Sequence, residues 1–135
     1  GFLMIVRKNF ASLKIIAVND MGADQSTEFY TFAQEKAHRL YADWLRNPEG
    51  TISSWQTRDY DRKMYGGAIL THDYKGMRTA NILSFSGLDE HVDEAICLDL
   101  GKSFFGLSDS GIEKIIKISS NRIFPEVFRS GKLVN

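Results

Sequence analysis

Residues 66–104 read GGAILTHDYKGMRTANILSFSGLDEHVDEAICLDLGKSF, and they carry the clearest pattern of secondary structure in the chain. Two mostly apolar segments, 64–71 and 77–85, flank a turn at 73–76, which is the pattern of a β-hairpin. After Ser86 and Gly87, acidic residues crowd the first two turns of residues 89–104, and apolar residues recur there at helical spacing. The sequence therefore predicts a hairpin that leads directly into an amphipathic helix.

The part of the chain before the hairpin predicts a strand, a long helix and another strand. Residues 13–18 are short, β-branched and mostly apolar, which favours a strand, and a shorter apolar piece at 3–6 precedes them. Residues 51–57 alternate in character and predict a strand, followed by a charged connector at 58–63. The intervening helix starts after Ser26 or Thr27, and its expected core stripe is Phe29, Phe32, Ala33, Ala37, Leu40, Tyr41, Trp44 and Leu45.

The part after the hairpin and its helix predicts one more helix. Ser110 and Glu113 fit a capping box, and the apolar spacing continues to Ile123, although the run 114–119 would also suit a strand. Residues 129–135 are expected to form a loose tail. The order strand, helix, three-strand meander, helix, helix predicts an α+β fold with an antiparallel sheet, in one domain spanning 1–135.

The composition narrows the class of protein. The chain has 17 lysine and arginine residues and 17 aspartate and glutamate residues, so its net charge is zero. A neutral chain has no overall electrostatic attraction to nucleic acid or to an anionic membrane, and zero net charge favours self-association. The single cysteine, Cys97, excludes an intrachain disulfide and fits a reducing compartment. No apolar run approaches the length of a bilayer span, and the start is too short for a signal-peptide core. We therefore expect a cytoplasmic homo-oligomer, most simply a homodimer.

Several short motifs in 17–104 resemble the GlcG/HbpS-like haem-binding family, also called the haem-degrading domain family. The motifs are a paired glycine at a strand start, a Ser-Gly at the next strand end, an Asp-Glu-Ala in the following helix and a Leu-Gly near its end. An Asn-Asp strand end and a Lys-Ala helix pair lie upstream. In this chain they are Asn19-Asp20, Lys36-Ala37, Gly66-Gly67, Phe85-Ser86-Gly87, Asp93-Glu94-Ala95 and Leu100-Gly101.

The resemblance implies a profilin-like arrangement of the helices and the sheet. It also implies oligomers, as in many members of the family, and in some members a bound haem or corrinoid. Haem or another tetrapyrrole is therefore the cofactor class that the resemblance suggests for this chain.

Histidine is the commonest axial ligand of haem iron, and the chain has three histidines. His72 ends the strand that Gly66 and Gly67 begin, so it would lie where a ligand could be held. His38 is offset from the apolar stripe of the first helix and could reach the rim of a pocket. His91 is disfavoured because the surrounding acids would repel propionate groups. The candidate cofactor-binding residues are thus His72, His38, Gly66 and Gly67, while the competing interpretation is that the histidines are ordinary surface residues and the glycines serve tight packing.

The sequence offers no catalytic or metal-binding constellation. No two histidines have metal-ligand spacing, and Cys97 lies mid-helix beside acids, which favours a buried inert thiol. Residues 106–111 lack the spacing of a nucleophile elbow. The leading hypothesis is therefore a small-molecule-binding domain, and the alternative is a protein-interaction or self-assembly module without a ligand.

Overall fold

The computed structural model describes residues 1–8, 13–20, 27–72 and 80–128 of the chain. Four strands form one antiparallel sheet, and three α-helices pack on it, so the predicted α+β class is confirmed. The elements are β1 (Phe2–Lys8), β2 (Leu13–Asp20), α1 (Thr27–Arg46), β3 (Ala68–His72), β4 (Ala80–Ser86), α2 (Glu90–Phe104) and α3 (Asp109–Ser119).

The strand order across the sheet is β2-β1-β4-β3. β1 therefore lies inside the sheet, pairing with β2 from Phe2↔Asp20 to Lys8↔Leu13 and with β4 on its other side. The sequence prediction did not count residues 3–6 as a strand, because four apolar residues at the chain start carry little periodicity of their own.

The helices cover the two faces of the sheet. α1 packs on one face, where its side chains share a core with Met4, Val6 and Ile82. α2 and α3 pack on the other face, around a core that includes Leu83, Phe85 and residues of both helices. Successive residues of a strand face opposite sides, so each central strand contributes to both cores.

The predicted strand over 51–57 is wrong. Residues Ser54–Thr57 form a 3₁₀ turn, a second 3₁₀ turn spans Tyr60–Arg62, and a single bridge between Ser53 and Ile69 is the segment's one strand-like pairing with β3. The turn wins because Ser53 and Gln56 form a capping box: the Ser53 side chain accepts from the backbone and the Gln56 side chain caps Ser53 in return. From here on we call the whole segment 51–67, which includes the charged residues 58–63, the connector.

Two further boundaries differ from the predicted ones. β3 begins at Ala68 rather than at 64, because Gly67 has φ +116 and interrupts the extended backbone. The segment 114–119 is helical as part of α3, which ends at Ser120 in the left-handed conformation, and the strand alternative is thereby excluded. A short π-helical turn at Phe124–Phe128 follows.

The core stripe of α1 is narrower than expected. Ala33, Ala37, Leu40 and Trp44 are buried, whereas Leu45 is 54% exposed. The hairpin turn at 73–76 and the tail from 129 lie outside the described residues. No helix in the described part of the chain is both long and apolar enough to cross a membrane.

Candidate functional site

Lys36 is a charged residue in the middle of the protein. It lies on α1 between Ala33 and Leu40, and its side chain is 1% exposed. Its Nζ donates to Oδ2 of Asp93 at 3.1 Å and to the carbonyl oxygen of Phe85 at 2.8 Å. One ammonium group thus joins β4 to α1 and α2, the helices that pack on the two faces of the sheet.

Asp93 is the partner carboxylate at the start of α2. Its Oδ1 accepts from the backbone N–H of Leu88 at 3.0 Å, and its side chain is 2% exposed. Burial raises the pKa of Asp93 to about 6, and Lys36 opposes part of that rise. The acids of the first turns of α2 therefore do more than complement the helix dipole, since this one is paired in the interior.

Gly67 completes the site because no larger residue would fit. A Cβ at this position would lie 2.9 Å from both the Asp93 Cβ and the Lys36 Nζ. The Gly67 carbonyl oxygen accepts from the backbone of Phe85 at 3.3 Å and from the Cys97 Sγ at 3.4 Å. Burial raises the pKa of the Cys97 thiol, which is consistent with the inert thiol expected from the sequence.

Glu94 forms a second buried carboxylate site directly beside the first. Its oxygens accept from Ser53 at 3.3 Å, from Asn121 at 3.0 Å and from the hydroxyl of Ser119. Burial raises the pKa of Glu94, and these hydrogen bonds oppose the rise. The carboxylate thereby ties the connector and the end of α3 to α2.

An aromatic surface lies outside these buried groups. We define the aromatic surface as Trp55, Arg58, Tyr60, Tyr65 and His91. The Trp55 and His91 rings stack with centroids 4.7 Å apart, and the Arg58 guanidinium lies 4.8 Å from the Trp55 ring and 5.4 Å from the Tyr60 ring. Tyr60 and Tyr65 meet edge to face at 5.7 Å. The Trp55 ring is thus in contact with His91 and Arg58, and Tyr60 is the ring of this surface that is well exposed to solvent beside the Arg58 guanidinium.

The connector that carries this surface is held by polar clamps. Arg58 pairs with both carboxylate oxygens of Glu90 at 2.7 and 2.8 Å, and Glu90 also accepts from the Gly66 N–H at 2.8 Å. Arg39 of α1 donates to the carbonyl oxygens of Ser54 and Tyr65 at 2.8 and 2.5 Å. The aromatic rings consequently stand on a fixed backbone although the segment has little regular structure.

The predicted site residues lie on three segments, with His38 on α1, Gly66 and Gly67 at the end of the connector, and His72 at the end of β3. His38 is exposed, and two residues of α-helix turn it about 200° from Lys36, away from Gly67. His72 ends β3, and its side chain lies outside the described residues. The Trp55 ring fills the space beside Gly66. The side chains of Lys36 and Asp93 fill the space beside Gly67. The protein's own side chains therefore occupy the space beside both glycines, which is the tight packing of the competing interpretation.

The sequence-based prediction includes Lys36, Asp93 and Glu94 only as members of the resemblance motifs and, for the two acids, as complements of the helix dipole, so it does not pair them. Lys36 does carry a signal of its own, because a lysine three residues after Ala33 and four before Leu40 falls on the apolar stripe. No comparable signal marked Trp55, Arg58 and Tyr60, which the sequence placed in a strand and a charged connector.

Four of the motifs that carry the family resemblance are neighbours in space. Lys36 touches Phe85 and Asp93, and Gly67 lies against the Lys36–Asp93 pair. Among the described residues, no group of three or more histidine, cysteine or acidic side chains could hold a metal ion. Comparison with known proteins finds no matching family model, no matching curated protein and no matching solved structure.

Proposed function

We propose that this chain is a small-molecule-binding domain and that its ligand is planar, with haem or another tetrapyrrole as the class that the resemblance implies. The observation that carries the proposal is the aromatic surface on a clamped connector, directly outside the cluster of Lys36, Gly67 and Asp93. No step of catalysis is part of it. The profilin-like arrangement implied by the resemblance belongs to the same proposal.

The clamped connector supports the proposal on energetic grounds. A segment of this length with little regular structure is usually functional when it is ordered, because its backbone must be held against a large loss of entropy. Here Arg39, Arg58 and Glu90 supply that restraint through charge-assisted hydrogen bonds. A surface ordered in advance binds with a smaller entropy loss.

The chemistry of the exposed groups supports a planar ligand. Tyr60 is 63% exposed, which is high for an aromatic side chain, and it adjoins the Arg58 cation and the half-buried Trp55. Offset stacking on an aromatic ring is a favourable contact for any flat conjugated molecule. Arg62 and Lys63 follow Tyr60 in the chain and are exposed, with Arg62 3.5 Å from Asp59, so two cations adjoin this ring that could pair with the carboxylates of such a ligand.

Absorption titration tests this proposal. We expect haem to give a shifted Soret band with the parent protein, and Tyr60→Ala to weaken binding about tenfold through loss of one stacking contact. Phe104→Ala is the matched control, because Phe104 is a 75% exposed aromatic residue on α2 outside the aromatic surface. Absence of binding by the parent would overturn the proposal, and equal affinity of the Tyr60 variant would remove the aromatic surface from it.

The axial ligand is tested separately. His38 and His72 remain the proposed donors, with Gly66 and Gly67 in the supporting backbone, whereas Nε2 of His91 contacts the Ser119 carbonyl oxygen at 2.9 Å. We expect His38→Ala or His72→Ala to change the haem spectrum, whereas Phe104→Ala, outside the aromatic surface, should leave it unchanged. Unchanged spectra in both of the first two variants would contradict axial ligation by either residue.

A self-assembly module is the second candidate function. Its supporting observation is that β2 lies at the edge of the sheet. With zero net charge, copies of the chain do not repel one another strongly, and we propose that they form a homodimer. A cytoplasmic location, suggested by the single cysteine, is proposed with it.

A further inference from the structure

Two side chains cover the ring of Trp55. His91, in the first turn of α2, stacks on it with the two ring planes at 25°, and the Arg58 guanidinium also lies over the ring. A Cβ at Gly66 would overlap the Trp55 Nε1, so backbone rather than a side chain lies against the indole there. Trp55 is therefore a large flat surface that the protein's own groups occupy.

The two covering groups differ in how firmly they are held. Arg58 is bound to Glu90 by two charge-assisted hydrogen bonds, which are the stronger kind. For the His91 ring the structure shows one hydrogen bond, from Nε2 to the Ser119 carbonyl oxygen at 2.9 Å, while its Nδ1 lies 3.7 Å from Asp89, beyond hydrogen-bond range. The His91 side chain is 36% exposed, so part of its surface already faces solvent, into which the ring can turn.

Trp55, in contrast, is fixed by its backbone. Its N–H donates to Ser53 Oγ at 3.1 Å, and its carbonyl oxygen accepts from the Arg58 N–H at 3.2 Å, both within the clamped connector. The indole would thus keep its place if His91 turned away. Its uncovered face could then stack on another flat conjugated group.

We propose that His91 is a displaceable cover on the Trp55 ring and that the planar ligand takes its place, an inference that rests on the proposed function. Trp55 and Tyr60 both adjoin the Arg58 guanidinium, so a macrocycle that displaces His91 can contact two rings at once. The stack of His91 on Trp55 is then an autoinhibitory contact, because the ligand must compete with an imidazole that is always present. A purely structural stack would have the opposite effect, since its loss would loosen the surface and weaken binding.

Titration with iron-free protoporphyrin tests the proposal, because a porphyrin without iron takes no axial ligand and reports stacking alone. We expect His91→Ala to bind it about two- to tenfold more tightly than the parent does, which is the worth of one aromatic pair. Phe104→Ala is the matched control, since it removes an exposed ring from the same helix outside the aromatic surface and should bind as the parent does.

The outcomes separate the cover from the proposed function. If the parent binds the porphyrin and His91→Ala binds it equally or more weakly, the cover is overturned and the proposed function stands. If neither protein binds it, the proposed function is overturned, and the cover with it.

Chemical modification of the parent decides the matter if His91→Ala does not fold. Diethyl pyrocarbonate acylates the ring nitrogens of accessible histidines, and mass spectrometry of peptides measures the extent of reaction at His91. We expect saturating porphyrin to speed this reaction severalfold, because the bound ligand shifts the His91 ring from Trp55 into solvent. An unchanged or slower reaction at saturation would overturn the proposal.

Discussion

Lys36 illustrates how one charged residue organises the interior at the scale of a single side chain. A buried ammonium group is tolerated only when it is paired and hydrogen-bonded, and here it has both a carboxylate and a carbonyl partner. The Lys36–Asp93 pair can therefore be removed as a unit at modest cost, but not one partner at a time.

We expect Lys36→Met to lower the free energy of unfolding by about 3–5 kcal/mol, because it leaves the Asp93 carboxylate buried without its cation. The double variant Lys36→Met, Asp93→Leu should recover much of that loss. Urea unfolding measures both. Arg46→Met is the control: its pair with Asp43 is 3.8 Å long and Arg46 is 73% exposed, so a loss below about 1 kcal/mol is expected. A single variant as stable as the parent would contradict the pairing.

The buried carboxylates make stability depend on pH. Burial raises the pKa of Asp93 to about 6 and also raises that of Glu94, above their values in the unfolded chain. The folded state then holds protons that the unfolded state has lost, so this stabilisation is greatest at low pH and disappears as the pH rises through about 6. The thermal midpoint should therefore fall as the pH rises from 3.8, the ordinary pKa of an aspartate, to about 6. The variant Asp93→Asn should show a smaller fall. A thermal midpoint of the parent that rises over this pH range would contradict the raised pKa values of the two buried carboxylates.

Gly67 tests how tightly the site is packed. Gly67→Ala places a methyl group against the Lys36–Asp93 pair in a backbone with φ +116. Gly106→Ala is the reference, because Gly106 has φ +68, in the left-handed region that side chains tolerate, and a Cβ there meets nothing within 4 Å. We expect the Gly67 variant to lose about 1–3 kcal/mol more than the Gly106 variant in chemical unfolding, through overpacking and the additional backbone strain at φ +116. Equal losses would show that the space beside Gly67 is open.

At the scale of elements, α1 is fastened to the sheet by one apolar stripe and by polar contacts on its flank. Ala33, Ala37 and Leu40 are fully buried, while Arg39 reaches from the same helix to the connector. The helix thereby positions the connector as well as covering the sheet.

Trp44 and Leu45 separate the buried side of α1 from its exposed side. Trp44 is 7% exposed and Leu45 is 54% exposed. We expect Trp44→Ala to cost about 3–5 kcal/mol of unfolding free energy, since it removes a large buried aromatic side chain, whereas Leu45→Ala should cost far less. Circular dichroism during denaturant unfolding compares the two variants. Comparable stabilities would mean that α1 packs on the sheet in a different orientation.

At the scale of the whole molecule, the strand order places β1 and β4 in the centre of the sheet, where their backbone amides are best shielded from solvent. β1 and β4 have a strand on each side and a helix layer over them, whereas β2 and β3 lie at the edges. We expect the amides of these two central strands to open only when the whole domain unfolds.

Hydrogen exchange should therefore be slowest in β1 and β4. Exchange in β2 should be faster, because it lies at an edge of the sheet. Mass spectrometry of peptides from the four strands checks this order. Uniform protection of all four strands in dilute solution would contradict the observed strand order.

The helices and the fold class could be predicted from the sequence, because α1, α2 and α3 follow from apolar spacing, which acts within a few residues. The predicted capping box at Ser110 and Glu113 is wrong, since the N-cap of α3 is Ser108, whose side chain accepts from the Gly111 N–H. The alternating residues at 51–57 predicted a strand, and this prediction is wrong. A capping box between Ser53 and Gln56 is also a local signal, and it stabilises a turn more than the weak alternation stabilises a strand.

Only the tertiary structure decided the candidate site. Lys36 and Asp93 are 57 positions apart, and Ser53 and Glu94 are 41 positions apart, so no local pattern pairs them. The same holds for the stack of Trp55 on His91 and for the carbonyl of Phe85 that receives Lys36. Charged groups enter the interior only where distant elements supply their partners, and those partners are set by how the helices pack on the sheet.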